Sequence, residues 1–117
     1  MRVNVPIPAS AGWIRGDDFS FSWPAALDSA GVARDISGFA ITFTMRHAVD
    51  DPNTVLTYAM ATGLSGTAAG VLTMASPDTD TDTIEPGEYV YAAKRTTAGS
   101  EETLFYGTVQ LLRMAGA

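Results

Sequence analysis

The chain has no cysteine and a single histidine, His47. Without cysteine there is no disulfide, thiolate metal site or cysteine nucleophile, and one histidine cannot supply a multi-histidine metal centre. A Ser-His-Asp arrangement would need partners that no spacing in the sequence singles out, so we interpret His47 as an ordinary residue at a loop edge. We therefore expect no enzymatic activity, and we assign no catalytic residue, metal ligand or cofactor-binding residue.

Basic residues are also few. Seven Lys and Arg stand against 13 Asp and Glu, giving a formal net charge of −6. Phosphate backbones and anionic lipid surfaces are repelled by such a charge. Apart from Lys94 and Arg95 the cations are scattered, and they form no basic patch with interleaved aromatic residues. We therefore expect neither nucleic acid nor a membrane as a partner.

Long apolar runs are absent as well, so no segment reaches the length of a membrane span. The first twelve residues are interrupted by Pro6 and Pro8 and do not form a signal peptide. Apolar residues make up 46% of the chain, which is enough for one hydrophobic core. A chain of 117 residues is too short to form two such cores. We predict one soluble domain over 1–117, with 1–15 as an N-terminal arm or edge strand.

Alternation of apolar and polar side chains is the strongest pattern that is present, and it is typical of half-buried strands. In Asp18–Trp23 three aromatic residues alternate with polar ones, and Pro24 ends the run. The pattern recurs in 40–46, 54–60, 71–75, 88–95 and 103–114. Short strands separated by turns are typical of a β-sandwich or a barrel, and of these we predict an all-β, antiparallel Ig-like β-sandwich of about seven to eight strands. At most one helical turn is expected, within 77–84.

The alternation also predicts the core. We expect nine side chains to be mainly buried: Phe19, Phe21, Trp23, Ile41, Phe43, Met45, Leu56, Tyr89 and Tyr91.

The aspartates of segment 78–82 alternate in a way that could offer oxygen ligands to calcium. The EF-hand pattern fails, however, because Thr83 stands where that loop needs glycine and Tyr89 where it needs glutamate. We interpret the segment as a solvated loop that caps a short helix.

The final strand differs from the others because both of its faces are apolar. Phe105, Gly107, Val109 and Leu111 fall on one face, and Leu104, Tyr106, Thr108, Leu112 and Met114 on the other. Apolar patches of this kind are seldom left bare on a monomer. Trp13 fits no strand pattern and is either an edge plug or a partner contact. The candidate protein interface therefore comprises Trp13, Leu104, Tyr106, Leu112 and Met114, unless the protein's own loops or arm cover this strand.

A series of landmarks in fixed order resembles a family of small virion proteins of tailed bacteriophages, related to the N-terminal module of baseplate upper proteins and to other tail or head accessory domains. The resemblance extends from about Gly16 to Leu112. The landmarks are Gly16-Asp17-Asp18 before Phe19-x-Phe21-x-Trp23, Asp28-x-x-Gly31 with Asp35-Ile36-Ser37-Gly38, a strand ending in Arg46, Ile84-x-Pro86-Gly87-x-Tyr89-x-Tyr91, and Leu104-x-x-Gly107-x-Val109-x-Leu111.

The resemblance implies a β-sandwich that is a structural part of a virion, assembled in the host cytoplasm, and that attaches neighbouring virion proteins as a homo-oligomer. It supplies no catalytic residues. Because no long fibre follows Leu112, a baseplate or tail adaptor or a head decoration protein is expected rather than a receptor-binding fibre. The alternative from another class is a small ligand-binding module, such as a carbohydrate-binding β-sandwich.

Overall fold

The structure is a computed structural model that describes residues 3–97, 99 and 101–113. It is mostly β, with 47% strand and 6% helix. The strands are β1 (Val3–Asn4), β2 (Phe19–Ser22), β3 (Ile41–Arg46), β4 (Leu56–Met60), β5 (Gly63–Gly66), β6 (Leu72–Ser76), β7 (Gly87–Arg95) and β8 (Glu102–Leu111). A single helical turn, α1 (Asp78–Thr81), lies where the sequence predicts one, and a 3-10 turn occupies Ala9–Ala11.

All eight strands belong to one sheet, in the order β1-β8-β7-β3-β4-β5-β6-β2, which curls into a half-barrel. The all-β prediction is confirmed, but two separate sheets of an Ig-like sandwich are not evident. The reason is a sharp bend between β4 and β5, where Ala61 adopts a φ of 67° and the Ala59 N–H donates to the Thr62 carbonyl oxygen at 3.2 Å. This bend carries the chain from β4 directly into β5, so the pairing continues without a break.

Trp23 is the centre of the core on the inner face of the curl. Its ring lies 5.8 to 6.1 Å from the rings of Phe43, Tyr91 and Phe105, which belong to β3, β7 and β8. The Trp23 Nε1–H donates to the Tyr91 hydroxyl at 2.8 Å. This residue, which follows β2, therefore packs against strands far from β2 in the sheet, and it stabilises the curl.

Six of the nine predicted core residues are buried, which confirms that part of the prediction. Phe19, Phe21 and Leu56 are only half-buried. Phe19 and Phe21 lie on β2, which is an edge strand and has a neighbour on one side only. Leu56 is the first residue of β4.

The N-terminal segment follows β8 and then crosses to the opposite edge of the sheet. The Val5 N–H donates to the Tyr106 carbonyl oxygen at 2.8 Å, and the Leu112 N–H donates to the Trp13 carbonyl oxygen at 2.8 Å. Ile7 and Trp13 are fully buried, and the Trp13 ring stacks on Phe19 of β2 at 4.9 Å. This segment is therefore both an edge strand and a part of the core.

Candidate protein-docking groove

Two rungs of side chains cross the outer face of the sheet, one residue from each of three neighbouring strands. Pairing aligns Arg46 of β3 with Val90 of β7 and Thr108 of β8 in the first rung. The second rung consists of Thr44, Ala92 and Tyr106. Since alternate residues of a strand point to opposite faces, these six side chains share the side turned away from the core.

The rungs form the floor of a groove of about 590 Å³, which we call the outer groove. Val49, in the loop after β3, and Pro6, beside β1, also line it. Ala92 and Thr44 are small, so the surface is low between the larger side chains of Tyr106 and Val49. The groove is therefore a depression on a hydrogen-bonded sheet, with its shape set by the backbone pairing.

Apolar side chains of the outer groove are open to solvent. Tyr106 is 39% exposed and Val49 is 85% exposed. The described residues provide no hydrogen-bond partner for the Tyr106 hydroxyl. The Tyr106 ring and hydroxyl are therefore both open to solvent, and a partner that binds in the groove can contact them.

Arg46 is the one charged residue among the described residues that line the outer groove. Its Nε atom is buried and finds no hydrogen-bond acceptor within 3–97, 99 and 101–113. Arg34 offers a contrast, since its guanidinium lies 2.6 Å from a carboxylate oxygen of Glu102. The hydrogen bond from Arg34 lowers the pKa of Glu102, whereas Arg46 stabilises no carboxylate in the described part of the chain.

Of the four predicted interface residues that the structure describes, Tyr106 alone is exposed. Trp13 and Leu104 are 0% and 2% exposed and belong to the core, so their assignment to a free surface was wrong. Leu112 is half-buried and hydrogen-bonded to the N-terminal segment. Met114 lies outside the described residues.

A β-bulge explains the position of Leu104. Phe105 pairs with Ala93, but Lys94 pairs with Thr103, which leaves Leu104 as an extra residue without a cross-strand partner. An extra residue reverses the alternation beyond it, so both Leu104 and Phe105 are buried. The sequence shows no signal for this bulge, and it shows none for the alignment of Arg46 and Val90 with β8, because pairing joins segments far apart in the chain.

A second depression, of about 770 Å³, contains Tyr58, Ser76 and Asp80. The Tyr58 hydroxyl lies 2.8 Å from both the Ser76 Oγ and the Asp80 Oδ2. A phenol has one proton, so it can donate to the Asp80 carboxylate while it accepts a hydrogen bond from Ser76. Burial raises the pKa of Tyr58 to about 12, and the phenol stays protonated at neutral pH.

This hydrogen-bond network fastens α1 to the sheet. The Asp80 carboxylate bonds to the phenol and not to the Ser76 hydroxyl, whose one side-chain partner within the described residues is Tyr58. Further hydrogen bonds hold the same segment: the Asp78 N–H donates to the Asp18 Oδ1 and the Gly16 N–H to the Thr81 Oγ1, both at 2.9 Å.

His47 is exposed, and its ring lies 4.9 Å from that of Tyr89. Among the residues with described structure, no three His, Cys, Asp or Glu side chains are grouped so that they could hold a metal ion. The same part of the chain contains no helix long and apolar enough to cross a membrane.

No family model matches the chain, and no curated protein matches it significantly.

Proposed function

We propose that the protein is a non-enzymatic structural component of a tailed-phage virion, a baseplate or tail adaptor or a head decoration protein, and that it docks neighbouring virion proteins through the outer groove. The observation that carries the docking role is the exposed Tyr106 side chain in a largely uncharged groove on a paired sheet. The assignment to a virion, and to a homo-oligomer within it, rests on the resemblance of the landmark motifs to phage accessory domains.

The composition of the outer groove suits a protein partner. Tyrosine and arginine are enriched among the residues that dominate binding energy in protein interfaces, and the groove offers Tyr106 and Arg46 on adjacent rungs. Both belong to strands that are paired on either side. Little backbone ordering is therefore needed when a partner binds, which lowers the entropic cost of association.

The Ig-like β-sandwich predicted from the sequence is the finer fold that we propose. The support is the contact of Trp23, beside β2, with aromatic rings of β3, β7 and β8. Such contacts are those of two facing layers, with β2, β6 and β5 in one and β3, β7 and β8 in the other. The bend at Ala61 would then be the place where one strand passes from layer to layer.

The test is co-expression of the tagged protein with the products of its neighbouring genes, followed by pull-down. We expect capture of a head, neck or tail protein by the native chain and by a Ser65→Glu control, since Ser65 is exposed on β5. Tyr106→Glu should lose the capture. The proposal fails if no such protein is encoded beside the gene or captured, or if Tyr106→Glu captures it as well as the native chain.

A carbohydrate-binding module is the second candidate, and the depression around Tyr58 favours it. That depression combines the polar Tyr58, Ser76 and Asp80 with the half-exposed ring of Phe19. A glycan array decides between the two functions. Binding of one glycan class, lost in a Ser20→Trp variant that fills the depression and kept in Tyr106→Glu, would replace the docking proposal.

A further inference from the structure

Arg46 indicates the chemistry of a partner that would bind in the outer groove. An arginine has five N–H donors and no acceptor, and within the described chain the buried Nε of Arg46 finds none of the acceptors that it needs. Within the described part of the chain no acidic side chain lines the groove, although the protein has 13 Asp and Glu residues. A ligand cannot reach the buried Nε itself, but Arg46 is half-buried and lines the groove, so a carboxylate that enters the groove can pair with its guanidinium.

The rest of the groove is uncharged and partly apolar. Val90 lies beside Arg46 on its rung, and Val49 and Tyr106 are exposed to solvent. A ligand that is only an anion would leave these apolar side chains in water. A polyanion such as nucleic acid would be repelled by the net charge of −6.

Resting on the proposed docking function, we propose that the outer groove binds an extended partner segment in which a single Asp or Glu is flanked by apolar residues. The carboxylate of that segment pairs with the guanidinium of Arg46, in a charge-assisted and directional hydrogen bond. Its apolar side chains cover Val49 and Tyr106. One ligand then matches both the positive charge of Arg46 and the apolar side chains of the groove.

The experiment is selection of a random linear-peptide display library on the immobilised protein. We expect enriched peptides with one Asp or Glu between apolar residues. The best of them should bind the native chain at least tenfold more tightly than Arg46→Glu or Arg46→Gln in fluorescence polarisation. Selection on Arg46→Glu should favour Lys or Arg at that position.

The matched control is Lys94→Glu, which makes the same change of charge at an exposed residue of β7 outside the outer groove, and it should bind as the native chain does. Urea unfolding of each variant checks that it is folded. Enriched peptides that need Tyr106 but bind equally to the Arg46 variants would overturn this inference and leave the docking function standing. Absence of enrichment, or peptides insensitive to both Tyr106→Glu and Arg46→Glu, would overturn it as well.

Discussion

The inner and outer faces of β3, β7 and β8 come from alternate residues of the same strands, yet they have opposite environments. Phe43 and Tyr91 on the inner face are 0% and 4% exposed, because the residues around β2 lie over them. Tyr106 on the outer face has no such cover and is 39% exposed. Local alternation thus defines two faces, and the curl of the sheet decides which of them becomes the core.

The two faces should contribute unequally to the stability of the fold. Burial of apolar side chains supplies most of the favourable free energy of folding, so inner-face substitutions should lower stability far more than outer-face ones. If the outer groove is a docking surface, its substitutions should instead affect binding. Four substitutions, in order of decreasing expected effect on stability, test this division.

Trp23→Ala should have the largest effect, about 3–5 kcal/mol of unfolding free energy, because it leaves a cavity among the rings of Phe43, Tyr91 and Phe105. It also removes the Nε1–H donor from the Tyr91 hydroxyl. Equilibrium urea unfolding measures the change, with exposed Ser20→Ala as the control. A loss under about 1 kcal/mol would mean that Trp23 is not the centre of the core.

Gly107→Ala should cost about 1–3 kcal/mol, as overpacked sites usually do. A Cβ at Gly107 would lie 2.8 Å from the Val5 carbonyl oxygen, and the Tyr91 hydroxyl donates to that same oxygen. The N-terminal segment would have to move away from β8. Gly38→Ala is the matched control, because a Cβ there meets nothing within 4 Å. Equal urea midpoints for the two variants would contradict the close approach.

Tyr58→Phe should cost about 1–2 kcal/mol, because buried Ser76 loses a hydrogen-bond partner. The substitution should also change the pH dependence. Burial raises the pKa of Tyr58 from 10.0 to about 12. The protonated phenol therefore stabilises the folded state fully below pH 10, and this stabilisation is lost as the pH rises towards 12. The unfolding free energy, measured in urea over this pH range, should decline less steeply in Tyr58→Phe than in the native chain. An unchanged slope would show that Tyr58 does not titrate in this way.

Tyr106→Glu should have the smallest effect on stability, within about 0.5 kcal/mol, as expected for a surface substitution that removes no hydrogen bond or core contact. The same variant should lose partner binding, since it places a carboxylate in the apolar part of the outer groove. Tyr106→Phe is the control, because it keeps the ring and should leave both stability and binding close to native. Unfolding of Tyr106→Glu in the isolated protein would place Tyr106 in the core instead.

The sequence predicted β2, β3, β4, β6, β7 and β8 because each one is a local pattern, whereas β5 was not among the predicted runs. The runs that contain Phe43 and Tyr91 were identified from alternation alone, and these residues are buried as expected. Trp13 could not be placed in the same way, because the residues that bury it come from β2 and β3. Its environment depends on the path of the N-terminal segment across the sheet.

The candidate site was predictable only in part, for the same reason. Tyr106 follows from the apolar character of both faces of the last strand. Arg46 and Val90 join it through strand pairing between residues more than ten positions apart in the chain, which no local period reveals. Leu104 was misplaced because a bulge changes the face of a residue without any change in composition.

Hydroxyl-radical footprinting of the isolated and the partner-bound protein tests the central claim most directly, because it reports the exposure of each tyrosine. In the isolated protein, Tyr106 should be oxidised readily and buried Tyr91 hardly at all, in line with their exposures of 39% and 4%. In the assembly with the neighbouring gene product, Tyr106 should become protected while Tyr91 stays unreactive. Equal oxidation of Tyr106 in both states would contradict the assignment of the outer groove as the docking surface.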